Sequence, residues 1–289
     1  MTDSSLDRHA QLEQVANSVR RYSRAHRLYD RRHPEIFNDI EQARLRAELS
    51  AVVASAPGSP PHALDLGVGT GNVTAHLLAE GARVTAADVS PHFLGGVRRR
   101  FGDRVETVQL NGIDLEGLLD ASYDIVTAYS VLHHIPDYLA ILDEIARVLR
   151  PGGVIYLDHE VNDEFWRKDG CVAEFRSAVD RREHEAPGPW NPKRWRWQRF
   201  LVPGNYVMRV RLTFDPHYRF GSEGDIHTWE LDHVEWAEVE ARLLALGLEL
   251  THVRDYLHYS AAYPDDLWRE SRDRGCTDMR TLVARRPGP

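Results

Sequence analysis

The chain has 289 residues, 42% hydrophobic and 28% charged, a composition that supports a folded core of useful size and excludes a disordered chain. Its formal net charge of −8 argues against a partner gripped through phosphates, so no nucleic-acid substrate is expected. The apolar runs, such as Val84 to Ala87, are too short to span a bilayer, and the polar start Met1-Thr2-Asp3-Ser4-Ser5 has no signal-peptide pattern, so a cytoplasmic protein without membrane contact is expected.

Residues 1–56 read as a helical cap. Val15, Val19, Tyr22, Tyr29, Ile36, Ile40 and Leu45 recur at loosely helical spacing, and Pro34 predicts a break between two helices. The turn-rich stretch Ala56-Pro57-Gly58-Ser59-Pro60-Pro61 bounds this cap. From 57 to 159, strands are expected at 63–66, 83–88, 105–110, 123–129 and 154–158. Helices fall between them: one from about Val73 to a stop at Gly81, one opening at Ser90-Pro91, and one over 137–149. In the last, Leu139, Leu142, Ile145 and Leu149 share a face. Such alternation predicts parallel strands with crossover helices on both sides of the sheet.

The period is lost from Glu160 to about Asp225, so 160–234 reads as an inserted lid or substrate-binding segment. Residues 235–289 return to the core with a helix over 235–246 and strands over 248–255 and 281–285. The fold class is α/β: a doubly wound, seven-stranded, mostly parallel sheet with an N-terminal helical cap and the inserted lid. Cys171 and Cys276 match no metal or redox spacing and read as two unpaired thiols in a reducing compartment. Asn72-Val73-Thr74 spells a glycosylation sequon, but it falls inside a turn assigned below to ligand binding and is treated as coincidence.

That turn carries the chemistry. Leu64-Asp65-Leu66-Gly67-Val68-Gly69-Thr70-Gly71-Asn72 joins a strand to a helix, and glycine lets its backbone bend sharply and approach a ligand. Asp88 ends the next strand, 23 residues after Asp65, where an acid beside the first turn of a doubly wound sheet can accept ribose hydroxyls. A nicotinamide fingerprint requires glycine at the sixth position of the turn, and Asn72 stands there instead. Asp65 would repel a pyrophosphate but suits a sulfonium ligand bearing an ammonium group, which points to S-adenosylmethionine.

At these residues the chain resembles the class I (Rossmann-like) S-adenosylmethionine-dependent methyltransferases. Ala63 to Gly71 resembles that family's first motif, and Ala86-Ala87-Asp88-Val89-Ser90 its second. Tyr123-Asp124-Ile125-Val126 through Val131-Leu132-His133-His134-Ile135 resembles the fourth-strand motif, and Leu149-Arg150-Pro151-Gly152-Gly153 the approach to the fifth strand. The resemblance implies that Asp65, Gly67, Gly69 and Gly71 hold the methionine moiety and that Asp88, with Val89 beside it, holds the ribose. The adenine would lie by Asn111-Gly112-Ile113-Asp114, where Ile113 packs and either Asp114 or Asn111 receives the amino group. Tyr129 and Ser130 would lie near the sulfonium. Tyr22, His26 and Tyr29 would fold over the cofactor.

On the acceptor side, His133 and His134 stand at the mouth of the crevice. Histidine can deprotonate a hydroxyl or amine at neutral pH, so both are candidate catalytic bases, His134 slightly preferred. A structural role for the pair stays open. In the lid, Lys193, Arg194, Arg196 and Arg199 interleave with Trp195 and Trp197; this could hold a single strand, line an acidic pocket or form an amphipathic lid. Asp215, His217, Asp225, His227, Glu230, Asp232 and His233 match no metal-site spacing, and no metal is expected. Trp190, Trp195, Trp197, Trp229 and Trp236 either roof an apolar substrate or pack a satellite core. The expected function is methyl transfer from S-adenosylmethionine to a small molecule in specialised metabolism. The alternatives are a non-methylating reaction on the same fold, such as cyclisation or elimination, a nicotinamide-dependent oxidoreductase, or a non-catalytic partner protein.

Overall fold

The computed structural model describes residues 8–25, 29–185 and 226–288. Three helices form the cap: α1 (Arg8–Ala25), α2 (Tyr29–Arg32) and α3 (Asp39–Ser55). Pro34 lies between α2 and α3, and Asn38 caps α3 by accepting a hydrogen bond from the Glu41 amide at 2.9 Å. The expected alternation then follows: β1 (His62–Leu66), α4 (Asn72–Ala79), β2 (Arg83–Asp88), α5 (Pro91–Phe101), β3 (Val105–Gln109), β4 (Tyr123–Tyr129), α6 (Tyr138–Val148) and β5 (Leu149–Val161). Next come α7 (Asp163–Trp166), α8 (Cys171–Glu185), the two-residue strands β6 (Thr228–Trp229) and β7 (Asp232–His233), then α9 (Trp236–Ala245), β8 (Glu249–Tyr256), α10 (Asp265–Asp273) and β9 (Met279–Arg285).

Seven strands form one sheet in the order β3-β2-β1-β4-β5-β9-β8. The first five pair in parallel, and β9 runs antiparallel to both β5 and β8. Side chains alternate across each strand, so neighbours in sequence serve opposite cores. Leu64, Val126, Ile155 and Leu282 face α6 and α9, whose Ile141, Leu142, Ile145, Trp236, Val239 and Leu243 are buried against them. Ala63, Ile125, Val154 and Val283 face α3 and α4 through Leu45, Leu49, Val73 and Leu77. Each fully buried aliphatic side chain of this kind contributes roughly 1.5–3 kcal/mol. Trp236 is wholly buried, its indole N–H donating to the Val161 carbonyl at 2.9 Å, so it belongs to this core and not to a lid.

Three features depart from the sequence reading. Residues 171–185, within the stretch without a visible period, form α8. Its Val172, Phe175 and Val179 make a thin apolar stripe against Leu257 and Trp268, and charged residues on the other faces hide that stripe from a compositional reading. The helix α10 went unpredicted because only Trp268 and Ser271 of its nine residues are buried. Cys171 and Cys276, read as unpaired thiols, are joined in a disulfide across 105 residues, with Cα atoms 5.3 Å apart. The pairing arises because β8, α10 and β9 carry Cys276 back to the start of α8. It removes the sequence-based reason for placing the chain in a reducing compartment. Among the described residues no helix is long and apolar enough to cross a membrane.

Candidate cofactor site

The sheet order places β1 beside both β2 and β4, and the chain leaves these strands toward opposite faces. The carboxyl ends there splay into a crevice, the usual ligand position of an open α/β sheet. The glycine turn sits at its head. The Val68 amide donates to the Ala87 carbonyl at 3.0 Å and the Gly71 amide to the Val68 carbonyl at 2.8 Å, which ties the turn to β2 and starts α4. All three glycines of the turn have positive φ. Gly67 has φ 67°, and a Cβ there would stand 2.4 Å from Val131 Cγ2. Gly69 has φ 52° and, among the described residues, an added Cβ would meet only the Gly67 carbonyl oxygen at 3.9 Å.

Substitution separates the two. Gly69→Ala is expected to fold with a loss of about 1–2 kcal/mol from the left-handed backbone, while its methyl group blocks ligand approach and weakens S-adenosylhomocysteine binding at least about tenfold, a loss of about 1.4 kcal/mol. Gly67→Ala is expected to lose more stability, because Val131 must also move. Urea unfolding and calorimetric titration measure both effects; normal binding by Gly69→Ala would move the ligand away from this turn.

Asp88 ends β2 and is 7% exposed. Its carboxylate accepts from the Gly69 amide at 3.0 Å and the Ser90 amide at 2.7 Å. Burial pushes its pKa up, and the amides only partly offset this. Asp88 and Gly69 line one cavity of about 910 Å³, open mouth included, with Val89, Ser90, Asp114, Tyr129 and His134. The wall also includes Val15, Ser18 and Val19 of α1, together with Tyr29. The buried hydroxyl of Ser90 meets no hydrogen-bond partner among the described residues, as expected of a wall that awaits a polar ligand.

Of the two acids-or-amides at the end of β3, the cavity wall contains Asp114 and not Asn111. Asn111 instead organises the loop: its Oδ1 accepts from the Ile113 and Asp114 amides at 2.8 and 3.0 Å, and its Nδ2 donates to Asp114 at 2.6 Å. Burial raises the Asp114 carboxyl, but hydrogen bonds from Asn111 and the Glu116 amide, with Arg8 of α1 3.2 Å away, hold it below the usual carboxylate range. Gly112 fits tightly between Val15 and Val89, which seats α1 on this loop. Ile113 is half-buried and lies outside the wall.

Asp65 does not face the cavity as the electrostatic reading expects. It is 2% exposed beneath the turn, where its oxygens accept from Thr74 at 2.5 Å and Thr127 at 3.1 Å. Burial pushes its carboxyl up to about 6. Its work in this structure is to tie β1, α4 and β4 together under the glycines; of the acids at the ends of β1 and β2, it is Asp88 that lines the cavity.

The histidine pair divides. His134 lines the cavity. His133 Nδ1 lies 2.8 Å from Glu160 Oε2, and Glu160 also accepts from the Leu132 amide at 2.8 Å. Burial raises the Glu160 carboxyl, but His133, with His134 and the Leu132 amide, brings the net shift downward. The His133 carbonyl accepts from the Ile226 and His227 amides at 2.9 and 3.1 Å, so the end of the inserted segment docks on this loop. His227 in turn lies 2.7 Å from Asp232 and 3.1 Å from the Ile135 carbonyl oxygen. Asp215, His217, Asp225, His26 and the basic, Trp-rich stretch 190–199 lie outside the described residues. The resemblance implied a cover from the N-terminal helices through Tyr22, His26 and Tyr29; the cavity wall contains Tyr29, and it adds Val15, Ser18 and Val19 of α1, which sequence reasoning read only as helix packing.

Residues 64–157 match the family model described as a methyltransferase domain. Over 106 residues the chain is 43% identical to a demethylmenaquinone methyltransferase of Clavibacter sepedonicus, covering 36% of this chain and 43% of that protein. Over 120 residues it is 32% identical to a ubiquinone biosynthesis O-methyltransferase of Xanthomonas campestris pv. campestris, covering 39% and 48%. The chain thus spans less than half the length of these curated relatives. Its fold superposes on the Burkholderia thailandensis 1,6-didemethyltoxoflavin-N1-methyltransferase, solved with 1,6-didemethyltoxoflavin and S-adenosylhomocysteine bound. The TM-score is 0.53 at 20% identity, covering 99% of this chain and 93% of that one.

Proposed function

We propose that this chain, which belongs to the class I S-adenosylmethionine-dependent methyltransferases, transfers a methyl group to a small-molecule acceptor. The observation that carries the reading is the gathering of Gly69, Asp88 and Asp114 on one cavity at the carboxyl ends of three neighbouring strands. Asp88 would hold the ribose hydroxyls, Asp114 the adenine amino group, and the open face of Gly69 the methionine end. When bound, S-adenosylmethionine supplies an activated methyl group on sulfur. The protein's share is then alignment of the acceptor and exclusion of water, for which α1 and Tyr29 roof the cavity. His134, in the wall near the crevice mouth, remains a candidate base. The relatives' names, both from quinone biosynthesis, direct the acceptor search toward small ring compounds.

The test is incubation of the full chain with methyl-labelled S-adenosylmethionine and pools of phenols, quinols and amines. Label is expected in the small-molecule fraction, together with saturable binding of S-adenosylhomocysteine. Tight binding with no labelled product would favour a non-methylating reaction, and no binding at all would overturn the cofactor site.

A further inference from the structure

The sheet ends in two edge strands, β3 and β8, and they differ in what they expose. Among the described residues seven large hydrophobic side chains are exposed. Leu244, Leu246 and Val253 of these lie in or just before β8, and none lies in β3. Glu240 and Leu244 share a flank of α9, one turn apart. Glu240 lies 2.7 Å from Arg280, which also meets Asp255 of β8 at 2.6 Å, so this flank overhangs the β8 edge and Leu244 with it. Among the described residues no strand pairs with the outer side of β8, whose backbone N–H and C=O groups are thus open to another strand.

A bulge decides which side chains of β8 share a face. The strand pairs with β9 at Leu250–Ala284 and at His252–Val283, so Thr251 is an extra residue. Leu250 and Val253, three positions apart, would otherwise point to opposite faces. With the bulge, both lie opposite residues of one core, Ala284 and Leu282. Glu249, His252 and Arg254, whose partners are Arg285, Val283 and Thr281, share the other face. Counted without Thr251, Leu250 and Val253 stand one step either side of His252, and Glu249 and Arg254 two steps.

We propose that β8 is a dimer seam, at which β8 of a second copy of this chain adds antiparallel about a twofold axis at His252. In that register Leu250 faces Val253 of the other copy, and Glu249 faces its Arg254. Each pair shares one face of the joined sheet and forms twice by symmetry. Opposite charges directly across two strands attract, and apolar pairs add to this. Arg254, half exposed, lies 3.1 Å from Glu48 of α3, and its guanidinium has further N–H donors for a second carboxylate. Leu244 and Leu246 extend the apolar contact on the α9 side. This self-complementary order along the strand selects a second copy over an unrelated partner. The cavity sits at the ends of β1, β2 and β4, so the seam lies apart from it.

The test is sedimentation equilibrium of the full chain from about 1 to about 200 µM, a range that brackets the micromolar Kd of a small interface. Wild type is expected to pass from the 33.0 kDa monomer to twice that mass. V253D, E249R and R254E should each weaken association at least about tenfold, by a buried charge in the first and by like-charged pairs in the others. An equimolar mixture of E249R and R254E should associate again, because together they restore opposite charges across the axis. Unchanged urea unfolding of the three variants reports that they fold. A wild type that stays monomeric throughout, or association unchanged in all three variants, overturns the seam. Single variants that dissociate and fail to associate when mixed overturn the antiparallel register.

Discussion

Replacing Asp88 by alanine is expected to weaken S-adenosylmethionine binding by about 1–3 kcal/mol, the worth of hydrogen bonds to a charged group. That is roughly 5- to 150-fold in Kd. The carboxylate already accepts from the Gly69 and Ser90 amides, so it is oriented before any ligand arrives. Losing it removes the proposed ribose acceptor and frees two amides that shape the turn. Asp88→Asn keeps the side-chain shape but loses the charge and one of the two acceptors for the Gly69 and Ser90 amides, and is expected to fall between alanine and wild type. Isothermal titration on all three reads the effect directly. An unchanged affinity in Asp88→Ala would remove Asp88 from the cofactor site.

Replacing Arg44 by methionine should cost about 3–5 kcal/mol of stability at neutral pH, because it leaves a buried carboxylate without its counter-charge. Arg44 reaches from α3 to Asp158 at 3.0 Å and to the Tyr256 hydroxyl at 2.8 Å, and Asp158 is fully buried. Tyr156, Tyr256 and Thr281 also donate to Asp158. Burial alone would raise the Asp158 pKa, but Arg44 and these hydroxyls hold it below the usual range. A depressed carboxyl pKa stabilises the fold fully above the unfolded value of about 3.9. That contribution is lost as the pH falls through the folded value. In Arg44→Met the sign reverses: Asp158 titrates above its unfolded value, so the deficit is largest at neutral pH and shrinks on acidification. Adding Asp158→Asn should recover part of the loss at neutral pH. Urea unfolding at several pH values checks this, and a deficit independent of pH would show that packing, not charge, dominates.

Periodicity carried most of the fold. The strands around Leu64, Val84, Ile125 and Ile155 are short apolar runs between turn signals, and each is buried on both faces of a parallel sheet. Residues 137–149 announced α6 because Asp137 caps it and a single apolar stripe faces the sheet. The helix α8 was invisible to the same method, since its stripe meets a distant partner later in the chain, in Leu257 and Trp268. The disulfide was hidden for the same reason, because spacing along the chain says nothing about a contact closed by an antiparallel strand.

The glycine turn and Asp88 were legible because a turn with positive φ and an acid at a strand end are local demands on residue type. The order of Gly67, Gly69, Gly71 and Asn72 separated this turn from a dinucleotide site without any coordinates. Tertiary structure alone decided which polar groups face the cavity. Asp65 and Asp88 are both acids in strands of one sheet, yet packing gives Asp65 two threonine hydroxyls and aims Asp88 into the cavity. It likewise ties His133 to Glu160, places His134 in the wall, and leaves Nε2 of His159 without a partner among the described residues. Residue type sets what a side chain can do, whereas burial and the partners brought from distant segments set whether that capacity is spent inside the fold or offered to a ligand.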